Sequence, residues 1–207
     1  MFIKICGITN LDDALSAVKF GASALGFIFA PSKRRITAKT AKEIISHLPP
    51  EVLKVGVFVN DQKEEMFRIA EEVKLSCIQL HGSESQELCD ELSKSFQVIK
   101  AVKIDPEGNL KTESNYNVWK LLMDTYLPRI EGGSGVAFNW QALKQFNLGE
   151  IIVAGGITPE NVRGLLSHYQ PFGIDVSSGV ESFPGKKDTQ KLAKLFLQIK
   201  KFKRNLA

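Results

Sequence analysis

Short apolar runs alternate with longer amphipathic stretches along the whole chain. The apolar runs are continuous and are bounded by glycine or polar residues, which is typical of strands buried on both faces of a sheet. They predict β-strands at 2–6, 24–29, 53–59, 76–80, 97–102, 118–124, 150–155 and 172–177.

Most of the stretches between these strands have apolar residues at helical spacing. They predict helices at 11–20, 38–48, 63–73, 85–95, 140–146 and 159–169, and a last one at 188–202. Thr9 or Asn10 is placed to cap the first helix. The segment 103–117 is polar and contains Asp-Pro and Gly-Asn turns, so it predicts only a short or irregular helix.

Strict alternation of strand and helix indicates a parallel sheet with right-handed crossovers. Eight such units in 207 residues are near the lower limit for a (β/α)8 TIM barrel, so we predict an α/β protein with one barrel domain over 1–207. The alternative is an open doubly wound sheet. That fold normally has fewer strands and a G-x-G-x-x-G turn after the first one, where this chain has CGITN.

Composition narrows the class of ligand. The chain is 43% hydrophobic and 24% charged, with a net charge of +4, which suits a phosphorylated or carboxylated small molecule. The densest basic run, KKFKRN near the C-terminus, has no interleaved aromatic residues of the kind that stack on bases. We interpret it as a solvated helix end favoured by the helix dipole, and expect no nucleic-acid partner.

Cysteine usage and hydropathy bear on the compartment. Cys6, Cys77 and Cys89 have no C-x-x-C spacing, so neither a disulfide framework nor a zinc site is indicated. No apolar run approaches the roughly 20 residues of a membrane span. The N-terminus also lacks the apolar core of a signal peptide. We therefore expect a cytoplasmic protein in a reducing setting, without a membrane partner.

The last two strands end in glycine-rich turns, AGGITPENV and GIDVSSGVE. In a barrel the active site lies at the carboxyl ends of the strands, and the loops after strands seven and eight commonly hold phosphate. Backbone N–H groups at the start of a short helix there would suit an anion. The predicted phosphate-binding residues are Gly155, Gly156, Asp175, Ser177, Ser178 and Gly179. The alternative is that these glycines only form tight turns.

Two ionisable residues end other strands of the predicted barrel. Asp124 ends the sixth strand, where partial desolvation would let a carboxyl group act as a general acid; an ordinary turn-capping aspartate is the alternative. Cys6 ends the first strand. It is either a small core residue or a base, and nearby cations such as Lys4 and Arg34 would favour its thiolate by lowering its pKa.

Further candidates lie on two other loops at the same face. Lys33, Arg34 and Arg35 follow the second strand, and an arginine fork can bind both oxygens of a carboxylate. Gln79 and His81 end the fourth strand, and alternation sends both side chains to one side. No H-E-x-x-H, C-x-x-C or Walker motif is present, so we expect neither a metal nor a nucleotide cofactor.

At these residues the sequence resembles the phosphoribosylanthranilate isomerases of tryptophan biosynthesis. The resemblance runs along the whole chain, and KICGIT and DVSSGVE are specific when they occur together. The matching motifs are KICGIT (4–9), LGFIF with SKR (25–34), VGVFVN (55–60), IQLHG (78–82), LLMDT (121–125), GGSG with FNW (132–140), AGGITPENV (154–162) and DVSSGVESFPGKKD (175–188).

The resemblance implies an eight-stranded barrel without a cofactor, acting on a small-molecule substrate by an Amadori rearrangement. It implies that Cys6 is the general base and Asp124 the general acid. It also implies that an arginine of the second loop meets the anthranilate carboxylate. The SKR match favours Arg34 for that contact, although the basic residue at Arg35 leaves both open. A monomer and a homodimer both remain open.

Three other functions compete with this one. The sister isomerase of histidine biosynthesis performs the same rearrangement on another amine, but it carries an aspartate where this chain has Cys6. A sugar-phosphate-binding module without catalysis would keep the phosphate loops and show no turnover. A nucleic-acid-binding surface would show a steep dependence of affinity on salt.

Overall fold

Eight parallel strands close into a barrel in the computed structural model, which describes residues 1–127 and 135–204. Each strand pairs with its neighbour in sequence, and the last strand pairs with the first, with Lys4 opposite Asp175. The strands are β1 (Phe2–Cys6), β2 (Ala24–Ile28), β3 (Leu53–Phe58), β4 (Cys77–Leu80), β5 (Gln97–Ile104), β6 (Lys120–Thr125), β7 (Ile151–Val153) and β8 (Gly173–Val176). The predicted (β/α)8 barrel is confirmed, and closure of the sheet shows that the open alternative is wrong.

The helices surround the barrel. They are α1 (Leu11–Phe20), α2 (Ala38–Ile45), α3 (Lys63–Val73), α4 (Gln86–Ser93), α5 (Val162–His168) and α6 (Thr189–Arg204). Asn10 caps α1, because its side chain accepts a hydrogen bond from the Asp13 amide at 3.0 Å. The last turn of α6 is basic, as predicted for the C-terminal run. None of the described helices is both long and apolar enough to cross a bilayer.

The crossover from β5 to β6 differs from the prediction. Residues 105–119 contain no helix. Asp105 instead accepts hydrogen bonds from the Asn109 backbone and side-chain amides, and its own amide donates to the Asn109 carbonyl. These local bonds satisfy the backbone in a turn and compete with a helix.

The helix predicted at 140–146 is a 3-10 helix, Trp140–Gln145, and a second short one spans Leu148–Glu150.

The core has two parts. Small and branched side chains fill the barrel itself: Ala24, Val55, Cys77, Ile99, Ala101, Leu122, Ile152 and Ala154. A larger cluster lies between the strands and the helices. Because the interior residues fill the barrel, the floor of any cavity at the carboxyl ends of the strands is solid.

A small hairpin that the sequence did not predict follows β8. After a 3-10 helix at Ser178–Val180, the antiparallel strands β9 (Glu181–Phe183) and β10 (Lys186–Lys187) fold over the carboxyl end of the barrel. Glu181 and Lys187 are both buried there. Of the motifs in the resemblance, residues 132–134 lie outside the described part of the chain.

Candidate active site

A cavity of about 360 Å³ opens at the carboxyl ends of the strands. Every residue that the sequence predicted for the site lines it: Cys6, Arg34, Gln79, His81, Asp124, Gly155, Gly156, Asp175, Ser177, Ser178 and Gly179. They come together because all eight parallel strands end at one face. Among the described residues, no cluster of three or more histidine, cysteine, aspartate or glutamate side chains could hold a metal ion.

Cys6 lies at the end of β1, and only 6% of its surface is exposed. Burial raises the pKa of its thiol above the ordinary value, and the neighbouring ammonium groups of Lys4 and Lys187 oppose that effect without overcoming it. The expectation that the surroundings lower this pKa is therefore wrong for the free enzyme. The desolvation of a thiolate in a closed pocket outweighs the attraction of two cations.

Lys4 points into the barrel beneath Cys6, where it is fully buried. Its ammonium group donates to Asp175 Oδ2 at 2.8 Å. Burial acts to lower the pKa of Lys4, but Asp175 and Cys6 together raise it above its usual value, so the side chain is charged. A Cβ atom at Gly26 of β2 would lie 2.7 Å from Cys6 Sγ and 3.0 Å from Lys4 Cε. Gly26 thus leaves the space that both side chains occupy.

Asp124 is the next-to-last residue of β6 and contacts two side chains at the carboxyl end of β4. His81 Nε2 lies 3.0 Å from Asp124 Oδ2, and Gln79 Nε2 lies 2.9 Å from His81 Nδ1. The other carboxylate oxygen of Asp124 accepts from the Thr125 amide at 2.9 Å. The prediction that Gln79 and His81 share one side is confirmed. Their hydrogen bonds fix the orientation of the Asp124 carboxyl group in the cavity.

The loop after β2 separates its two arginines. Arg34 lines the cavity, whereas Arg35 is exposed and is not part of the lining. The Arg34 side chain passes over Gly7, where an added Cβ atom would lie 2.7 Å from Arg34 Cδ. Arg34 also forms a bidentate ion pair with Glu181, with Nη2–Oε2 at 2.8 Å. This geometry favours Arg34 for binding a ligand in the cavity.

The glycines after β7 and β8 have a structural reason of their own. Gly155 and Gly156 have φ values of +73° and +62°. An added Cβ atom would overlap Thr125 of β6 at Gly155, and the backbone of residues 136–137 at Gly156. A Cβ atom at Gly179 would overlap the Ile157 carbonyl. Close packing therefore accounts for glycine at these positions, and the same packing brings their backbones to the wall of the cavity.

Several buried polar atoms at the cavity have no hydrogen-bond partner among the described residues. These atoms are Gln79 Oε1, Thr125 Oγ1, Asp175 Oδ1 and Ser177 Oγ. Buried polar atoms are nearly always paired, so these atoms are available to water or to a polar ligand in the cavity. Thr125 was missed by the sequence analysis, although it follows Asp124 directly.

Glu181 and Lys187 were also missed. Both lie on the hairpin after β8 and reach back to the loop of Arg34 and to the end of β1. The residues Arg34 and Glu181 are 147 positions apart, and no local pattern in the sequence pairs them. Only the closure of the barrel, which places β8 beside β1, makes that contact visible.

Comparison with known proteins gives one family. The family described as N-(5'-phosphoribosyl)anthranilate (PRA) isomerase matches residues 3–198. The isomerase of that name from Thermotoga maritima is 45% identical over 199 residues, which are 95% of this chain and 96% of the relative. The one from Geotalea uraniireducens is 43% identical over 200 residues, covering 96% and 98%.

Solved structures agree with the sequence relatives. The phosphoribosylanthranilate isomerase of Thermus thermophilus superimposes with a TM-score of 0.85 at 39% identity, over 97% of this chain and 99% of that one. Another such isomerase was solved in complex with reduced 1-(o-carboxyphenylamino)-1-deoxyribulose 5-phosphate; it has a TM-score of 0.80 at 38% identity, over 97% and 99% of the chains. These matches confirm the resemblance, and the chain belongs to the N-(5'-phosphoribosyl)anthranilate isomerase family.

Proposed function

We propose that this enzyme converts N-(5-phosphoribosyl)anthranilate to 1-(2-carboxyphenylamino)-1-deoxyribulose 5-phosphate, with Cys6 as general base and Asp124 as general acid. The reaction is an Amadori rearrangement in tryptophan biosynthesis. The observation that carries the assignment is that Cys6 and Asp124, from β1 and β6, face one cavity. An acid and a base on separate strands can act on neighbouring atoms of a substrate held between them.

Asp124 serves the first step. The substrate is a cyclic aminal, and a proton from Asp124 to the ring oxygen breaks the C1–O bond and leaves an iminium cation at C1. The hydrogen bonds from His81 and Thr125 hold the carboxyl group in one orientation for this transfer. Gln79 in turn orients the His81 ring through Nδ1. General acid catalysis of this kind contributes roughly 10²–10⁴-fold.

Cys6 serves the second step. The iminium cation acidifies the proton on C2, and the Cys6 thiolate removes it. The C–H electron pair forms the C1–C2 double bond, and the iminium π pair moves to nitrogen. The resulting enol-amine tautomerises to the ketone. Lys4 and Lys187 stabilise the thiolate electrostatically, which offsets part of the cost of its burial.

Two anchors hold the ends of the substrate. Arg34 binds the anthranilate carboxylate, since its side chain reaches the cavity and Arg35 does not. The loops that carry Gly155, Gly156 and Gly179 bind the phosphate through backbone N–H groups, together with Ser177 and Ser178. Asp175, which the sequence analysis placed among the phosphate ligands, does not bind the phosphate in this proposal, because its carboxylate pairs with Lys4 and would repel a phosphate.

The direct test is turnover of freshly formed phosphoribosylanthranilate, followed by loss of its fluorescence. We expect conversion that scales with enzyme concentration. Binding of the reduced product analogue without conversion would instead indicate a sugar-phosphate-binding module. Turnover of only the corresponding histidine-pathway amine would indicate the sister isomerase.

We also expect a cytoplasmic monomer or homodimer; a relative from Thermotoga maritima is described as dimeric.

Replacing Arg34 by alanine is expected to raise KM about 10- to 100-fold, the range for loss of a charge-assisted hydrogen bond. Binding of inorganic phosphate should change much less, because the proposed phosphate donors are backbone N–H groups and serine hydroxyls rather than the Arg34 guanidinium. The matched control is Arg35→Ala, which removes an exposed arginine from the same loop and should leave KM unchanged. If only Arg35→Ala raises KM, the assignment within this loop is wrong.

The raised pKa of Cys6 predicts slow alkylation at neutral pH. Iodoacetamide reacts with the thiolate, so the rate of inactivation should increase about tenfold per pH unit up to a midpoint above the ordinary thiol pKa. The reduced product analogue should protect Cys6. Cys77 and Cys89 do not line the cavity, and burial raises the pKa of Cys89 to about 11, so both should remain unmodified. Full alkylation of Cys6 with turnover intact would contradict the proposed mechanism.

A further inference from the structure

The Arg34 guanidinium is held from the side by one buried carboxylate. Arg34 Nε donates to Glu181 Oε1 at 2.9 Å and to Oε2 at 3.1 Å, and Nη2 donates to Oε2 at 2.8 Å. The Glu181 carboxylate is almost entirely buried. A paired guanidinium of this kind is fixed in plane and direction, whereas a free arginine side chain samples many rotamers.

Glu181 is itself held in place. Lys187 Nζ donates to Glu181 Oε1 at 2.8 Å and to the Cys6 carbonyl at 2.6 Å. Burial acts to raise the pKa of Glu181, but Arg34 and Lys187 outweigh it, and the pKa lies below its usual range. Glu181 therefore carries a negative charge at neutral pH. One connected network joins the hairpin after β8 to Arg34 and to the backbone of Cys6.

Glu181 binds the side of the Arg34 guanidinium formed by Nε and Nη2, and it leaves the end formed by Nη1 and Nη2 open. A guanidinium has five N–H donors, and Glu181 engages Nε and one N–H of Nη2. Among the described residues, none accepts a hydrogen bond from Nη1 or from the second N–H of Nη2, so these groups can bind another planar acceptor. A second carboxylate can then bind the end of a guanidinium whose orientation is already set, so less side-chain entropy is lost on binding.

We propose that Glu181 is a positioning residue for the substrate carboxylate, acting through Arg34 and supported by Lys187. The inference rests on the proposed role of Arg34. It makes the hairpin β9–β10 part of the binding machinery. Glu181 does not touch the substrate, so its effect must depend on the presence of Arg34 and on the carboxylate of the ligand.

The test is a double-mutant cycle with two ligands. The first is reduced 1-(o-carboxyphenylamino)-1-deoxyribulose 5-phosphate, and the second is the same compound without the carboxyl group. For the first ligand we expect Glu181→Gln to raise Kd about tenfold and Arg34→Ala about 10- to 100-fold. The double variant should match Arg34→Ala alone. For the ligand without the carboxyl group, the Kd values of all variants should stay within about twofold of the wild-type value. In turnover of phosphoribosylanthranilate, Glu181→Gln should show a higher KM with a smaller change in kcat.

Two further variants keep the experiment decisive. Glu181→Asp keeps the charge but is one methylene shorter, so it cannot span Arg34 and Lys187, and it should lose the same discrimination. Glu160→Gln is the matched control, because it removes an exposed glutamate that pairs with Lys194 away from the cavity, and it should change nothing.

Three results would overturn the inference. One is additive effects in the double variant, and another is an equal loss of affinity for both ligands. The third is an unchanged Kd for Glu181→Gln when Arg34→Ala still weakens binding. If Arg34→Ala itself leaves discrimination between the two ligands intact, then the proposed carboxylate anchor has failed, which is a separate outcome.

Discussion

Replacing Cys6 by serine is expected to lower kcat by about 10²- to 10⁴-fold, the contribution of a positioned general base. A serine hydroxyl is nearly the size of the thiol, but its pKa is far higher, so it cannot take the C2 proton at neutral pH. The fold and the binding of the reduced product analogue should be retained, because Cys6 contributes no side chain to the proposed anchors for carboxylate or phosphate.

The measurement is steady-state turnover of phosphoribosylanthranilate together with the thermal unfolding midpoint. Cys89→Ser is the matched control, since Cys89 is a fully buried cysteine of α4 that does not line the cavity. It should show the structural cost of a buried hydroxyl without a loss of kcat. A Cys6→Ser enzyme with near-normal kcat would make Cys6 a structural residue. The wild-type kcat/KM should rise with pH as the Cys6 thiol ionises, and this rise should be absent from the residual activity of Cys6→Ser.

Replacing Asp124 by asparagine is the second large effect, again about 10²- to 10⁴-fold in kcat. The amide has the shape of the carboxyl group, but it has one acceptor oxygen where Asp124 uses two, so it can keep only one of the bonds from His81 and the Thr125 amide. It also has no acidic proton to give to the ring oxygen. Substrate binding should change little, so the loss should appear in kcat rather than KM.

The control for Asp124→Asn is Asp105→Asn. Asp105 follows the neighbouring strand β5 and pairs with Lys111 outside the cavity lining, so its replacement removes a carboxylate near the same face without touching the site. Its kcat should remain normal. Equal losses of kcat in the two variants would indicate a general electrostatic effect at this face, and Asp124 would then not be the acid.

The network around Arg34 connects the carboxylate anchor of the proposed mechanism with the strand that carries the base. Lys187 bonds to the Cys6 carbonyl and to Glu181, and Glu181 fixes Arg34. A substitution in the hairpin β9–β10 can therefore move both the carboxylate anchor and the end of β1. For this reason the cycle with Arg34 is needed to separate the two effects.

Much of the site follows from sequence pattern because parallel strands end at one face. The apolar runs located all eight strands, and residues near the carboxyl ends of those strands, such as Cys6 and Asp124, then lie close to one common cavity. Alternation within IQLHG correctly placed Gln79 and His81 together. These inferences depend only on local periodicity and on the topology that it implies, so no long-range contact had to be known.

Tertiary structure decided what depends on contacts between distant segments. The sequence favoured Arg34 over Arg35 only through the SKR match, whereas the packing of their loop partly buries Arg34 and exposes Arg35. The direction in which the pKa of Cys6 shifts depends on how completely the folded barrel excludes water. This desolvation raises the pKa more than Lys4 and Lys187 lower it. The ion pair between Arg34 and Glu181 exists because closure of the barrel puts β8 beside β1. Residue pattern determined the strands and their ends, whereas burial and barrel closure, which are properties of the whole chain, determined the charges and partners of the site.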